Sequence, residues 1–209
     1  MNTLPLDLSR RALLALGLTG AAALAGCDKL LPSKPASFNA VDITGAGYGK
    51  NLALPDVDGR VRTLAEFKGK VVVLFFGFTQ CPDVCPGTLA ELAQLKKALG
   101  PDGERVQGIF VTIDPERDTP EVLKGYVRSF DPSFVALRGT PEQTAAAAKE
   151  FKVYFAKVAS KTGEGYSFDH TAGSYVFDES GEVRLFTRYG APGGQEALMA
   201  DIRQLLKSG

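Results

Sequence analysis

The sequence predicts a single α/β domain, a mixed sheet flanked by helices with an extra β-hairpin at its amino end. Three observations carry this. A continuous run of apolar, β-branched and aromatic residues at 71–76 and a second buried-strand segment at 106–113 bracket a stretch of helical periodicity, the pattern of two buried parallel strands joined through a helix. Further on, 174–178 and 183–189 flank Glu179-Ser180-Gly181-Glu182, the signature of an antiparallel hairpin. Finally, 44% apolar and 23% charged residues in a chain of 209 supply core enough for one globular domain and argue against disorder or a coiled coil.

The elements follow in order. Segments 51–55 and 59–64 form the opening hairpin, turned at Asp58-Gly59. Strand 71–76 runs into a loop, 77–84, after which Pro86 starts a helix to about Leu99; proline suits the first helical position because its missing N–H would have no partner there. Leu89, Leu92, Ala93 and Leu95 recur at helical spacing, and Gly100-Pro101 ends the run. Strand 106–113 completes a βαβ unit, whose crossover is right-handed. A loop at 114–120, a helix at 121–129, a short strand at 134–137, a helix at 141–149 and a strand at 154–158 come next. The polar stretch 159–169 reads as a loop, and 196–206 as a closing helix after the hairpin. A parallel core followed by a carboxy-terminal hairpin and helix is the thioredoxin-like arrangement.

The charge balance of 24 basic and 24 acidic side chains leaves no basic excess to displace counterions, which argues against a nucleic-acid surface. At the amino end, Arg10 and Arg11 precede a run, 12–25, of Ala, Leu, Gly and Thr alone. Its length of about 21 Å as a helix is short of the roughly 30 Å of hydrocarbon a spanning helix must cross. It reads as the apolar core of a signal peptide covering 1–26. Ser9-Arg10-Arg11-Ala12-Leu13-Leu14 resembles a twin-arginine export signal, although an ordinary secretory route stays open. Leu24-Ala25-Gly26-Cys27 resembles a bacterial lipobox, which makes Cys27 a lipid anchor, and Asp28 resembles an inner-membrane retention signal. The expected organisation is a leader over 1–26, a lipidated tether over 27–37 and a domain over 38–209, held at the periplasmic face of the inner membrane.

One histidine and three cysteines limit where soft-metal or nucleophilic chemistry can reside, and with Met199 the only methionine after the leader, methionine-rich copper loops are excluded. Cys81 and Cys85 are four apart on the loop entering a helix. The partial positive charge of a helix amino terminus favours thiolate over thiol, and positions four apart bring Cα atoms to about 6 Å, within disulfide range. The pair can therefore bridge or clamp one ion. A disulfide closing so short a loop restrains the unfolded chain weakly, so a mere staple is the poorer account. With His170 the donors number three, short of the four a structural zinc site uses, whereas two sulfurs and an imidazole suit copper. His170 is expected to open the strand at 174–178, at the sheet edge where the cysteine loop also lies. Asp114 and Asp118, in the loop after the second parallel strand, reach the same edge. Either carboxylate can orient His170 or shape a partner surface, while Asp118-Thr119-Pro120-Glu121 also reads as a helix start capped by Asp118. Gly77, Gly173 and Gly181 read as turn residues, and Phe75, Phe76, Phe78 and Phe110 as core or pocket wall. The chain has no P-loop, G-x-S-x-G or H-E-x-x-H.

Three separated segments, Gly77-Phe78-Thr79-Gln80-Cys81-Pro82-Asp83-Val84-Cys85-Pro86, Asp114-Pro115-Glu116-Arg117-Asp118-Thr119-Pro120 and Asp169-His170-Thr171-Ala172, resemble in order the Sco/SenC family of copper-binding, thioredoxin-like proteins. The resemblance covers about 38–207. It implies a membrane-anchored protein that binds Cu(I) and Cu(II) through Cys81, Cys85 and His170 and helps assemble the dinuclear copper centre of cytochrome c oxidase subunit II. Many members use a transmembrane helix where this chain has a lipobox.

The resemblance leaves two mechanisms open. As a metallochaperone, and not a turnover enzyme, the protein takes copper, in one version from another copper donor chaperone, and passes it on by ligand exchange. As a thiol-disulfide oxidoreductase, one thiolate attacks a disulfide among the target's copper-ligand cysteines and the other resolves it. A redox or copper sensor is a third possibility. The C-x3-C spacing, the histidine and the lack of proline between Ser160 and Val176 favour copper. A peroxidase is weaker still, because the Thr-x-x-Cys pattern of that class appears here as Thr79-x-Cys81.

Overall fold

The two buried segments Val71–Gly77 and Val106–Thr112 lie side by side as the parallel centre of a six-stranded sheet. The structure is a computed structural model and describes residues 37–160 and 165–207. The predicted leader and Cys27, with the rest of the tether up to residue 36, lie outside the described residues.

The chain begins with β1 (Val41–Asp42), β2 (Ala53–Pro55), β3 (Val61–Thr63) and β4 (Val71–Gly77). Helix α1 (Val84–Ala98), β5 (Val106–Thr112), α2 (Pro120–Arg128), β6 (Val135–Leu137) and α3 (Pro141–Glu150) follow. The last elements are β7 (Phe155–Ala159), β8 (Tyr166–His170), β9 (Ser174–Phe177), β10 (Val183–Thr187) and α4 (Gly194–Leu205). The main sheet has the order β1-β10-β9-β4-β5-β6. Strands β4, β5 and β6 are parallel, and β9, β10 and β1 continue the sheet antiparallel. Strands β2 and β3 form the expected amino-terminal hairpin, a separate two-stranded sheet.

Because side chains alternate across a strand, β4 feeds two cores. Val71, Val73 and Phe75 pack with Leu89 and Leu92 of α1, Leu123 of α2 and Ile202 of α4. Val72, Leu74 and Phe76 pack with Leu54 of the hairpin, Ala148 of α3 and Phe151. Burial on both faces explains the unbroken apolar run of β4 and the largely apolar β5, whose Gln107 is buried with its side-chain amide bonded to the Gly108 and Ser133 carbonyls. The crossover helices α1 and α2 share one face, as crossovers of one hand require.

Four expectations need correction. Helix α1 starts at Val84, so Cys85 and Pro86 lie inside its first turn; the first N–H groups of any helix lack intrahelical partners, so proline is tolerated there as well as at the first position. Helix α2 is capped by Thr119, whose Oγ accepts the Val122 N–H at 3.3 Å with Pro120 next in line, and not by Asp118. The stretch expected to be a loop at 159–169 contains β8, paired antiparallel with β7 so that Phe155 faces His170. His170 therefore ends β8 and does not open β9. Lastly, Gly77 and Gly173 are glycine for lack of space, since a Cβ would fall 2.7 Å from Cys85 Sγ in the first and 2.1 Å from the Phe186 ring in the second. Gly181, at φ +88°, is a true turn glycine.

Candidate metal centre

Three segments converge beyond the carboxy-terminal ends of β4 and β5, where open α/β sheets gather their ligands. The loop after β4 brings Cys81, the first turn of α1 brings Cys85 and the end of β8 brings His170. One donor atom from each lies within 4.8 Å of the other two. With bonds of about 2.0–2.3 Å, two donors on one ion stand about 3.5–4.5 Å apart, depending on angle. The three side chains thus sit close to bonding separation on a single ion.

Cys81 is half-buried and Cys85 fully buried, both as free thiols. At the N-cap of α1, Asp83 makes no side-chain capping bond; the Cys85 N–H instead points to Cys81 Sγ at 3.5 Å. Sulfur stands where a capping oxygen normally would, so the amino-terminal partial charge of the helix acts on it. The Cys81 thiol is lowered to about 4, chiefly by a hydrogen bond from Cys85, with further bonds from His170 and from the Asp83 and Cys85 amides, all against the opposing effect of burial. Cys85 is pushed far up, first by sharing its proton with Cys81 and then by burial. The pair is therefore asymmetric, a thiolate at Cys81 beside a buried thiol at Cys85.

His170 Nδ1 lies 3.1 Å from the Thr171 carbonyl. A carbonyl only accepts, so Nδ1 donates in that contact, and Nε2 would be the ring atom left to meet a metal. Phe78, buried in the cysteine loop, packs its ring against Phe168 and His170 at centroid distances of 5.4 and 5.9 Å. A cleft of about 750 Å³ opens beside the donors, lined among others by Cys81, Pro82, Val158, Phe168 and His170.

The two aspartates are buried beneath this rim, and their bonds go to residues other than His170. Asp118 accepts from the Thr79 amide at 3.1 Å, the Thr79 hydroxyl at 2.6 Å and the Thr112 hydroxyl at 2.6 Å, bracing the cysteine loop from below. Burial raises its pKa against those bonds. Asp114 accepts from the Tyr166 hydroxyl at 2.8 Å and from Arg117 Nε. Thr79, Gly77, Arg117 and Tyr166 all help shape the site, and the sequence reading assigned a site role to none of them. The alternation of Tyr166, Phe168 and His170 with Ser167 and Asp169 was the signal that could have exposed the strand carrying them.

A family description, SCO1/SenC, matches residues 42–207. The mitochondrial SCO2 homolog of Bos taurus is 36% identical over 180 residues, which make up 85% of this chain and 66% of that protein. The chain thus spans slightly less than two thirds of its length. A SCO2-like protein of Rickettsia felis is 36% identical over 135 residues, 64% of this chain and 66% of its own. Among solved structures, copper-bound ScoI of Bradyrhizobium japonicum is 39% identical, with a TM-score of 0.66 and coverage of 76% of this chain and 99% of that one. The family match runs from β1 past the end of α4 and takes in both cysteines and the histidine, so this chain belongs to the SCO1/SenC family.

Proposed function

We propose that the chain is a copper carrier of the bacterial cell envelope, holding the ion through Cys81, Cys85 and His170 and passing it to the dinuclear copper site of a cytochrome c oxidase subunit II. The observation that carries this reading is the meeting of two sulfurs and one imidazole, drawn from three separate segments, within 4.8 Å. Soft sulfur with nitrogen suits both copper states, and a relative of 39% identity has been solved with copper bound. Three donors leave a coordination position for an incoming thiolate, so the ion can pass between proteins by ligand exchange. Two thiolates and a neutral imidazole would hold the ion, and the chemistry copper supplies is its affinity for the target's own sulfurs.

The asymmetry of the dithiol favours a second activity at the same place. The Cys81 thiolate attacks one sulfur of a target disulfide and releases the other as a thiolate. Cys85, losing its proton, then attacks Cys81, releasing the second target sulfur and leaving a Cys81–Cys85 disulfide. Two electrons move from this pair to the target, whose reduced cysteines become able to accept copper. Anchoring by an acylated Cys27 at the periplasmic face completes the proposal, and a Cys27→Ser variant is expected in the soluble fraction.

The deciding experiment is anaerobic copper titration with X-ray absorption. One copper per chain, with two sulfurs and at least one nitrogen, is the expected result. An ion without nitrogen, or a stoichiometry that survives loss of either cysteine, would overturn the assignment.

A further inference from the structure

The ribbon β7–β8, which carries His170, is a two-stranded sheet separate from the main one that carries the cysteine loop. The rings of Phe78, Phe168 and His170 bring the two together, but apolar contact is non-directional and does not by itself fix where along the loop the imidazole comes to rest. A directional fastening is present at the other end of β8, four residues before His170. Arg117 Nη1 donates to the Gln80 side-chain carbonyl at 2.9 Å, next to Cys81, and to the Tyr166 backbone carbonyl at 2.8 Å, in β8. Its Nε donates to the buried Asp114 carboxylate, which also accepts the Tyr166 hydroxyl at 2.8 Å. The guanidinium carbon lies 3.7 Å from the centroid of the Tyr166 ring.

We propose that Arg117 is the positioning residue that fixes the His170 ribbon against the Cys81 loop. One planar group joins the loop after β4, the loop after β5 and β8, and acts on the donors through Gln80 and Tyr166. The inference rests on the copper-site reading and adds a residue that sets the spacing of the donors. Two features separate this from ordinary surface pairing. First, Nη2 is buried and has no hydrogen-bond partner among the described residues. An unpaired buried donor is costly, so the stack on Tyr166 and the bonds at Nη1 and Nε outweigh it in placing the plane. Second, another ion pair between the ribbon and the loop after β5, Lys157 to Glu116 at 2.8 Å, joins side chains 45% and 60% exposed and has the small worth of a solvated ion pair. Lysine cannot reproduce the Arg117 arrangement, because a point charge neither stacks nor forks.

The test uses the full chain without an affinity tag, so that His170 is the only histidine. Reduced, copper-free protein is treated with diethyl pyrocarbonate and the carbethoxylation of His170 is followed by absorbance and mass spectrometry. Arg117→Ala is expected to raise the rate about tenfold, the scale set by loss of a charge-assisted hydrogen bond. Arg117→Lys should stay near the alanine value. Gln80→Ala, an exposed change that removes only the loop-side acceptor, should give a smaller rise in a fully folded protein and decides the matter should Arg117→Ala not fold. In Cu(II)-loaded samples, nitrogen hyperfine coupling should weaken in Arg117→Ala. An unchanged His170 rate in Arg117→Ala, or in Gln80→Ala where that variant decides, overturns the proposal, as does full rescue by lysine. If the parent itself binds copper without nitrogen, the copper-site reading fails instead, and the copper-free rates still report on Arg117.

Discussion

A methyl group placed on Gly77 would stand 2.7 Å from the sulfur of Cys85 and 2.9 Å from the ring of Phe110. The backbone at Gly77 is ordinary strand, so alanine is conformationally permitted and the whole effect of Gly77→Ala is steric. Overpacking of this kind costs about 1–3 kcal/mol, and one of the two atoms that must yield is a proposed ligand. Urea unfolding of the reduced protein should register the loss, and competition with a Cu(I) chelator should register weaker copper binding. Reduced stability with unaltered copper affinity would mean that Phe110, and not Cys85, gives way.

The low pKa of Cys81 predicts an unusual pH profile for alkylation. With the thiol lowered to about 4, the reaction of the native reduced protein with iodoacetamide at Cys81 should be nearly flat between about pH 6 and pH 8, whereas the unfolded chain should speed up towards the ordinary thiol value of about 8.5. The sign for stability follows from the depressed folded-state value. Thiolate stabilisation is complete above the unfolded pKa and is lost as pH falls through the folded one. Replacing Cys81 with Ser should therefore flatten the rise of stability with pH across that interval. A native alkylation rate that climbs with pH like the unfolded one would remove the thiolate from the mechanism.

The sheet was legible in the sequence where burial is two-sided. The runs that became β4 and β5 admit no polar face, and both appear within a residue of their expected ends. The ribbon was not legible as a whole, because β8 is only partly buried and carries Ser167, Asp169 and His170 among its aromatics. A polar stretch of that kind has the composition of a loop. The three donors could be named from residue type alone, since the domain offers so few sulfurs and imidazoles. Their supports could not. Asp118 has the local pattern of a helix cap, and only the fold shows that Thr119 takes that role and leaves Asp118 free to brace Thr79.

Removing the imidazole should separate copper retention from thiol chemistry. His170→Ala keeps both sulfurs and the strand pairing of β8, so the fold and the oxidation of the dithiol should persist. Copper affinity should fall by more than the roughly 10–100-fold that outer partners of metal ligands contribute. Chelator competition measures the first effect and dithiol redox titration the second. In cells lacking the gene, restored oxidase assembly by His170→Ala but not by Cys81→Ser or Cys85→Ser would make thiol reduction the principal activity. Failure of all three variants would favour copper delivery.

Asp118 offers a test of how the cysteine loop is braced. Asp118→Ala strands the Thr79 amide and the Thr79 and Thr112 hydroxyls, at about 1–3 kcal/mol for each buried group left unpaired. Asp118→Asn should cost less, because its carbonyl can take the Thr79 amide while the hydroxyls rotate to accept from its amino group. The pH dependence carries a sign as well. Burial raises the Asp118 pKa in the folded state, so its contribution is fully present below the unfolded value of about 3.9 and declines as pH rises through the folded one. Asparagine has no charge to bury. Its stability deficit relative to the parent should therefore shrink between about pH 4 and pH 7, which chemical unfolding at the two pH values measures directly. A deficit that grows over the same interval would mean that the hydrogen bonds from Thr79 and Thr112 to the charged carboxylate outweigh its burial, and that the loop is held by an ionised Asp118.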